Sequence, residues 1–136
     1  MFYTGLCFGT NDLEKSGIFY DAIFKTINVI RHQTTDNEIG YGFSGQEECF
    51  WIIKPFNKKS ATNGNGSQMI ITANSKEQVD LFYSTALEFG GLDEGKPGLR
   101  DHTPNYYGAY IRDLDGNKIH IYIILQKNED ILTNDL

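Results

Sequence analysis

The chain carries one pattern twice. Phe19-Tyr20 sits in one helical stripe and Phe82-Tyr83 in another, 63 positions further on. The first stripe is Ser16, Phe19, Tyr20, Ile23 and Phe24; the second is Val79, Phe82, Tyr83, Ala86 and Phe89. Both have the spacing that gathers apolar side chains on one face of a helix. The flanking segments repeat as well. Phe2 to Phe8, Ile27 to Thr34, Gly40 to Phe43 and Cys49 to Ile53 have the composition of strands around the first helix. Gln68 to Thr72, Tyr106 to Arg112 and Lys118 to Leu125 do the same around the second. A single unit cannot bury both its helix and its sheet, so two units pair to complete a core. The expected fold is α+β: two tandem βαβββ modules whose curved mixed sheets enclose a pocket. Residues 1–126 form one domain, with module one at about 1–56, a linker at 57–67 and module two at 68–126. Residues 127–136 are polar and expected to fray.

Local signals place the boundaries. Asn11 or Asp12 caps the first helix, with Glu14 in its first turn. Ser75 with Gln78 three positions later is a capping-box pair. Gly90-Gly91 stops the second helix, because glycine accepts the left-handed conformation at a C-cap. Ser44-Gly45-Gln46-Glu47 and Asp113-Leu114-Asp115-Gly116-Asn117 are polar turns. The stretch Gly95-Lys96-Pro97-Gly98-Leu99-Arg100 has the composition of a loop.

Composition narrows the partners. Twelve basic and 18 acidic residues give a formal charge of -6, a field that disfavours nucleic acid and anionic membranes. A local basic pocket remains compatible with a small anion. No apolar run approaches the length of a membrane span, and Met1-Phe2-Tyr3-Thr4 lacks the basic start of a signal peptide. The two cysteines, Cys7 and Cys49, form no metal-binding or redox spacing. They are expected to be buried thiols in a reducing cytoplasm.

Several motifs together point further. Asp12-Leu13-Glu14-Lys15-Ser16 followed by Phe19-Tyr20 resembles the first-helix signature of the vicinal-oxygen-chelate superfamily of glyoxalases, bleomycin-resistance proteins and extradiol dioxygenases. Gly64-Asn65-Gly66-Ser67, Ala86-Leu87 with Gly90-Gly91, the Gly95 to Arg100 stretch and Tyr106-Tyr107 resemble one bacterial subgroup of it. Arg112 to Asn117 resembles its Asp-Pro-Asp-Gly hairpin, with Leu114 where proline is usual. The resemblance implies a paired-module fold, frequent dimerisation, and, in the enzymes, a divalent metal acting as a Lewis acid on developing oxyanion charge.

It also implies where ligands for that metal would lie. In module one the first-strand position falls on Gly5, which has no donor, and the last-strand position falls within Cys49-Phe50-Trp51-Ile52-Ile53, which contains no Asp, Glu or His. In module two the positions are Gln68, where histidine is usual, and His120, where glutamate is usual. Metal sites of the catalytic kind use about three protein ligands. The expectation is therefore no bound cofactor. The alternative is a divalent ion (Zn, Ni, Fe or Mn) held by Gln68 and His120, with Cys49 adding a thiolate if it faces the pocket. Without metal, Gln68 and His120 form a polar pair bonded to each other or to water, or His120 acts alone as a general acid or base near neutral pH.

Arg100 is either a clamp for a carboxylate or phosphate or an ordinary ion pair with Asp101 or Asp93. Trp51, Tyr107 and Tyr110 either line a cavity for a planar ligand or are core. His102 is expected exposed in its loop, and His32 on a strand or the surface. Three functions follow. The first is a metal-independent binder of a small organic molecule in the cavity between modules, as a homodimer. The second is a lyase, isomerase or dioxygenase resembling lactoylglutathione lyase, with a reduced metal centre. The third is a non-catalytic interaction domain.

Overall fold

Each half of the chain folds as strand, helix and three further strands. The structure is a computed structural model and describes residues 2–126; the polar segment 127–136 lies outside the described residues. In module one, β1 (Leu6–Gly9), α1 (Leu13–Lys25), β2 (Val29–Thr34), β3 (Glu38–Phe43) and β4 (Phe50–Ile53) follow in order. In module two these are β5 (Gln68–Thr72), α2 (Lys76–Glu88), β6 (Leu92–Leu99), β7 (Tyr106–Arg112) and β8 (Lys118–Ile124). The sheets run β1-β4-β3-β2 and β5-β8-β7-β6, so the same topology occurs twice. In each, the first strand pairs parallel with the last and the other pairs are antiparallel. The sheets are curved rather than closed.

Two boundaries differ from the sequence expectation. Phe2 to Gly5 stay outside β1, and the Phe2 ring is almost fully exposed. The stretch from Gly95 to Leu99 is not loop but the second half of β6. Its glycines and proline lower strand propensity. Pairing with β7 overrides that, with register shifts at Asp93/Gly95 and Gly95/Gly98.

The helix signals work as their chemistry dictates. The Asp12 side chain accepts the Lys15 N–H at 3.1 Å. Ser75 Oγ accepts the Gln78 N–H at 3.1 Å, while Gln78 Oε1 turns to the Asn74 N–H at 2.7 Å. Gly90 takes a φ of +101° past the end of α2. Ser16, Phe19, Tyr20, Ile23 and Phe24 are buried along α1. On α2, Val79, Phe82 and Ala86 are buried, but Tyr83 is half-buried and Phe89 is exposed.

The modules are tied together by the β7–β8 hairpin. Asp113 is buried, and its Oδ1 accepts the backbone N–H groups of Asp115 and Asn117. Its Oδ2 accepts from Asn117 Nδ2 at 2.9 Å and from Tyr20 Oη at 2.5 Å. Tyr20 belongs to α1, so this last bond joins the two modules across the core. Asn117 Nδ2 also donates to the Gly9 carbonyl, and Asp115 accepts from the Asn11 N–H and Ser16 Oγ. Burial raises the Asp113 carboxyl above its ordinary range, and the donors around it oppose that rise.

Candidate functional site

Register decides what the second sheet presents. On β7, Tyr107, Ala109 and Ile111 are buried, and on β8 so are Ile119 and Ile121. Successive side chains alternate across a sheet. Tyr106, Gly108, Tyr110 and Arg112 therefore share the opposite face with Lys118, His120 and Tyr122, opposite one another as Arg112–Lys118, Tyr110–His120 and Gly108–Tyr122. On β5, Gln68 pairs with Lys118 and Ile70 with His120, so both join this face.

His120 is only 4% exposed, although it lies on the face opposite α2. Tyrosines close over it. The Tyr110 ring stacks on the imidazole at 4.1 Å with an interplanar angle of 21°. Tyr106 and Tyr122 stack on each other at 4.6 Å and flank the imidazole at 5.6 and 5.7 Å. His120 Nε2 and Tyr106 Oη share a hydrogen bond of 3.0 Å. Gly108 makes this possible, since a Cβ there would lie 3.3 Å from Nε2 and 3.0 Å from the Ile121 carbonyl oxygen. Burial, and then the charges of Arg100, His102 and Lys118, push the His120 imidazole down to about 4. The sequence expectation places an acid–base group near neutrality; the shift here runs downward and favours the uncharged ring at neutral pH.

Arg100 follows β6 directly, and its own N–H bonds the Tyr106 carbonyl at 2.8 Å, extending the ladder with β7. Among the described residues its guanidinium bonds no carboxylate, neither Asp101 nor Asp93. It donates to the Lys96 carbonyl at 2.6 Å and the Leu99 carbonyl at 3.4 Å, and its carbon lies 5.4 Å from the Tyr110 ring centre. Gly95 clears the space, because a Cβ there would meet Tyr110 Cδ2 at 2.9 Å and Arg100 Nη2 at 3.3 Å. Lys118 Nζ sits 5.1 Å from the same ring centre.

The remaining sequence candidates divide. Tyr110, Arg100 and His120 come together. Gln68 is exposed two residue pairs further along the sheet, and the imidazole bonds Tyr106 rather than Gln68. Tyr107 is a correction. It faces α2, where its hydroxyl donates to Asp80 Oδ1 at 2.5 Å, and it is core rather than site. Trp51 is half-buried on β4 of the other sheet, against Gly5 and Gly40. Among the described residues no hydrogen bond, ion pair or ring contact joins it to His120. Cys7 and Cys49 are exposed, not buried. His32 and His102 lie where expected, the first bonded to the Phe43 carbonyl and the second edge-on to Tyr106 at 4.6 Å. Sequence reasoning missed Tyr106 and Tyr122, which complete the nest.

These residues do not fit a divalent cation. A Cβ at Gly5 would lie 2.4 Å from the Cys49 carbonyl oxygen and 2.6 Å from the Trp51 ring, which leaves no room for a donor side chain. At His120, Nε2 is engaged by Tyr106, and the charges that act on the ring are cationic. Among the described residues no group of three His, Cys, Asp or Glu side chains converges elsewhere.

A βαβββ unit used twice, giving two curved mixed sheets with one helix each, is the architecture of the vicinal-oxygen-chelate class. A glyoxalase/bleomycin resistance protein from Albidiferax ferrireducens T118 is similar over 90% of this chain and 98% of its own, with 37% identity and a TM-score of 0.81. The chain belongs to the glyoxalase/bleomycin resistance protein family. Two further structures share the fold. A glyoxalase/bleomycin resistance protein/dioxygenase family enzyme from Burkholderia phytofirmans PsJN has 18% identity over 90% of this chain and 98% of its own, with a TM-score of 0.71. A lactoylglutathione lyase from Agrobacterium tumefaciens has 15% identity over 89% and 92%, with a TM-score of 0.61. No family model matches the chain, and no curated protein matches it in sequence. Among the described residues no helix is long and apolar enough to cross a membrane.

Proposed function

We propose that this protein binds a small planar organic molecule against the tyrosine-lined face of the second sheet, without a divalent metal. The observation that carries the reading is the nest of Tyr106, Tyr110 and Tyr122 around His120. Three half-exposed rings on an uncovered face offer a stacking surface. The neutral imidazole and its tyrosine partner supply a directional hydrogen-bonding pair within that surface. Support for metal independence comes from the closed space at Gly5 and the cations beside His120. His120 orients the ligand or exchanges a hydrogen bond with it; an imidazole pushed this low is a poor proton donor at neutral pH. The same face exposes Ile70 and Ile124, which favours a homodimer that covers part of it.

Thermal shift with a panel of planar aromatic compounds in EDTA tests the proposal. A ligand that binds only the folded state at about 100 times its Kd stabilises by about 2.7 kcal/mol. The expected result is a dose-dependent rise in melting temperature that persists in EDTA. A panel with no shift, or shifts that need added metal, contradicts it.

A further inference from the structure

We propose that the ligand of this face is an anion: a planar ring bearing a carboxylate or phosphate, with the charge held between Arg100 and Lys118 beside Tyr110. This rests on the reading that the face binds a small planar molecule, and it adds the ligand's charge.

This chain treats its arginines unequally. It has a formal charge of -6, so carboxylates are plentiful. Two of its three arginines have found one. Arg31 pairs with Asp21 at 2.8 Å and Arg112 with Glu94 at 2.7 Å. Among the described residues Arg100 has not, although Asp101 is its neighbour in sequence. Its guanidinium is fixed by the Lys96 and Leu99 carbonyls, neutral acceptors that do not offset its charge. Lys118 has no carboxylate partner among the described residues either. Yet both are drawn toward one ring, at 5.4 and 5.1 Å from the centre of Tyr110.

Holding two like charges around one ring is unfavourable unless something of opposite sign offsets it. The aromatic quadrupole compensates only in part. Position costs something too. Gly95 gives up a side chain so that Tyr110 and the guanidinium can occupy that space. His102 adds a third nitrogen base at the rim, edge-on to Tyr106. A planar anion satisfies every element. Its ring stacks on the tyrosines, and its oxygens accept from the free guanidinium N–H groups and the ammonium. The same arrangement rejects a cation of identical shape by repulsion, so the charge also gives specificity.

Calorimetric titration with three probes of one shape tests this: 2-naphthoate, 2-naphthylmethanol and 2-naphthylmethylammonium. The anion is expected to bind at least about tenfold more tightly than the alcohol, with the ammonium weakest. Raising salt to about 300 mM should weaken the anion and leave the alcohol nearly unchanged. Arg100→Ala and Lys118→Ala should each cost the anion about tenfold and the alcohol little, with partial recovery in Arg100→Lys. The wild-type comparison of probes and salt stands even if a variant folds poorly. Equal binding of alcohol and anion, or tighter binding of the ammonium, overturns the charge assignment while the binding face survives. If none of the three binds, the binding face itself falls, and the charge assignment with it.

Discussion

Replacing Tyr20 by phenylalanine isolates one of the bonds that join the two modules, the one buried in the core. The ring is fully buried against Phe19, Phe24, Tyr41 and Phe50, and phenylalanine preserves that packing. Only the hydroxyl is lost, and with it the 2.5 Å donation to Asp113 Oδ2. Hydrogen bonds to charged groups contribute about 1.5–3 kcal/mol, and a buried carboxylate that loses one is left short of a donor. Tyr20→Phe should therefore lose about 2 kcal/mol at pH 7. With a urea m-value of about 2 kcal/mol/M, that lowers the midpoint by about 1 M. The loss should also depend on pH. Asp113 is an acid whose folded pKa is raised, so the native state keeps its proton where the unfolded chain has released it. Its contribution to stability falls as pH rises from the unfolded value, about 3.9, through the raised native value. Removing Tyr20's hydroxyl, which opposes that rise, extends the window upward. Below both values Asp113 is protonated, and a neutral hydrogen bond is worth only about 1 kcal/mol. Urea denaturation of both proteins at pH 7 and near pH 3, below both values, is the assay. A midpoint change under about 0.3 M at pH 7, or a penalty as large at acidic pH as at neutral, would refute the reasoning.

Further expectations concern the second sheet. His120 should show no protonation step between pH 5 and 8 when its ring is followed by NMR, with its midpoint at about 4. Its folded pKa is depressed, so its contribution to stability is lost as pH falls from the unfolded value, about 6.5, toward that midpoint. Tyr106→Phe and Tyr107→Phe should separate site from core. Tyr106→Phe should lose about 1 kcal/mol in denaturation and Tyr107→Phe, whose partner is a carboxylate, about 1.5 kcal/mol, but only the Tyr106 variant should weaken binding of an aromatic ligand. Gly95→Ala should cost about 1–3 kcal/mol by crowding Tyr110, with ligand affinity reduced in the fraction that remains folded; unchanged affinity would mean Tyr110 is no part of the surface.

Much of this architecture is legible in sequence because its signals are local. Helix stripes, the Asp12 and Ser75 caps and the Gly90 stop each need only a few neighbouring residues. The face of a strand is legible too, though only by counting in twos. Tyr107, Ala109 and Ile111 alternate with Tyr106, Gly108 and Tyr110, and the aliphatic members mark the buried set. Counting in this way separates Tyr107, which faces α2, from Tyr106, which shares a face with Tyr110 and His120. The second half of β6 is hidden for another reason. Its glycines look like loop residues, but Gly95 is bare because Arg100 and Tyr110 need the volume. The Tyr20–Asp113 bond has no local signature at all, since its partners are 93 residues apart. The tuning of His120 is invisible for the same reason, because it depends on groups gathered from β8 and from the segment after β6.

The central claim is metal-independent binding at the His120 face, and NMR of the histidine and tyrosine rings during titration with 2-naphthoate in EDTA tests it most directly. The account predicts saturable shifts of His120, Tyr106 and Tyr110 that are unaltered when zinc or manganese replaces the chelator. Shifts that arise only after metal is added, or that spare His120 and its tyrosines, would contradict it.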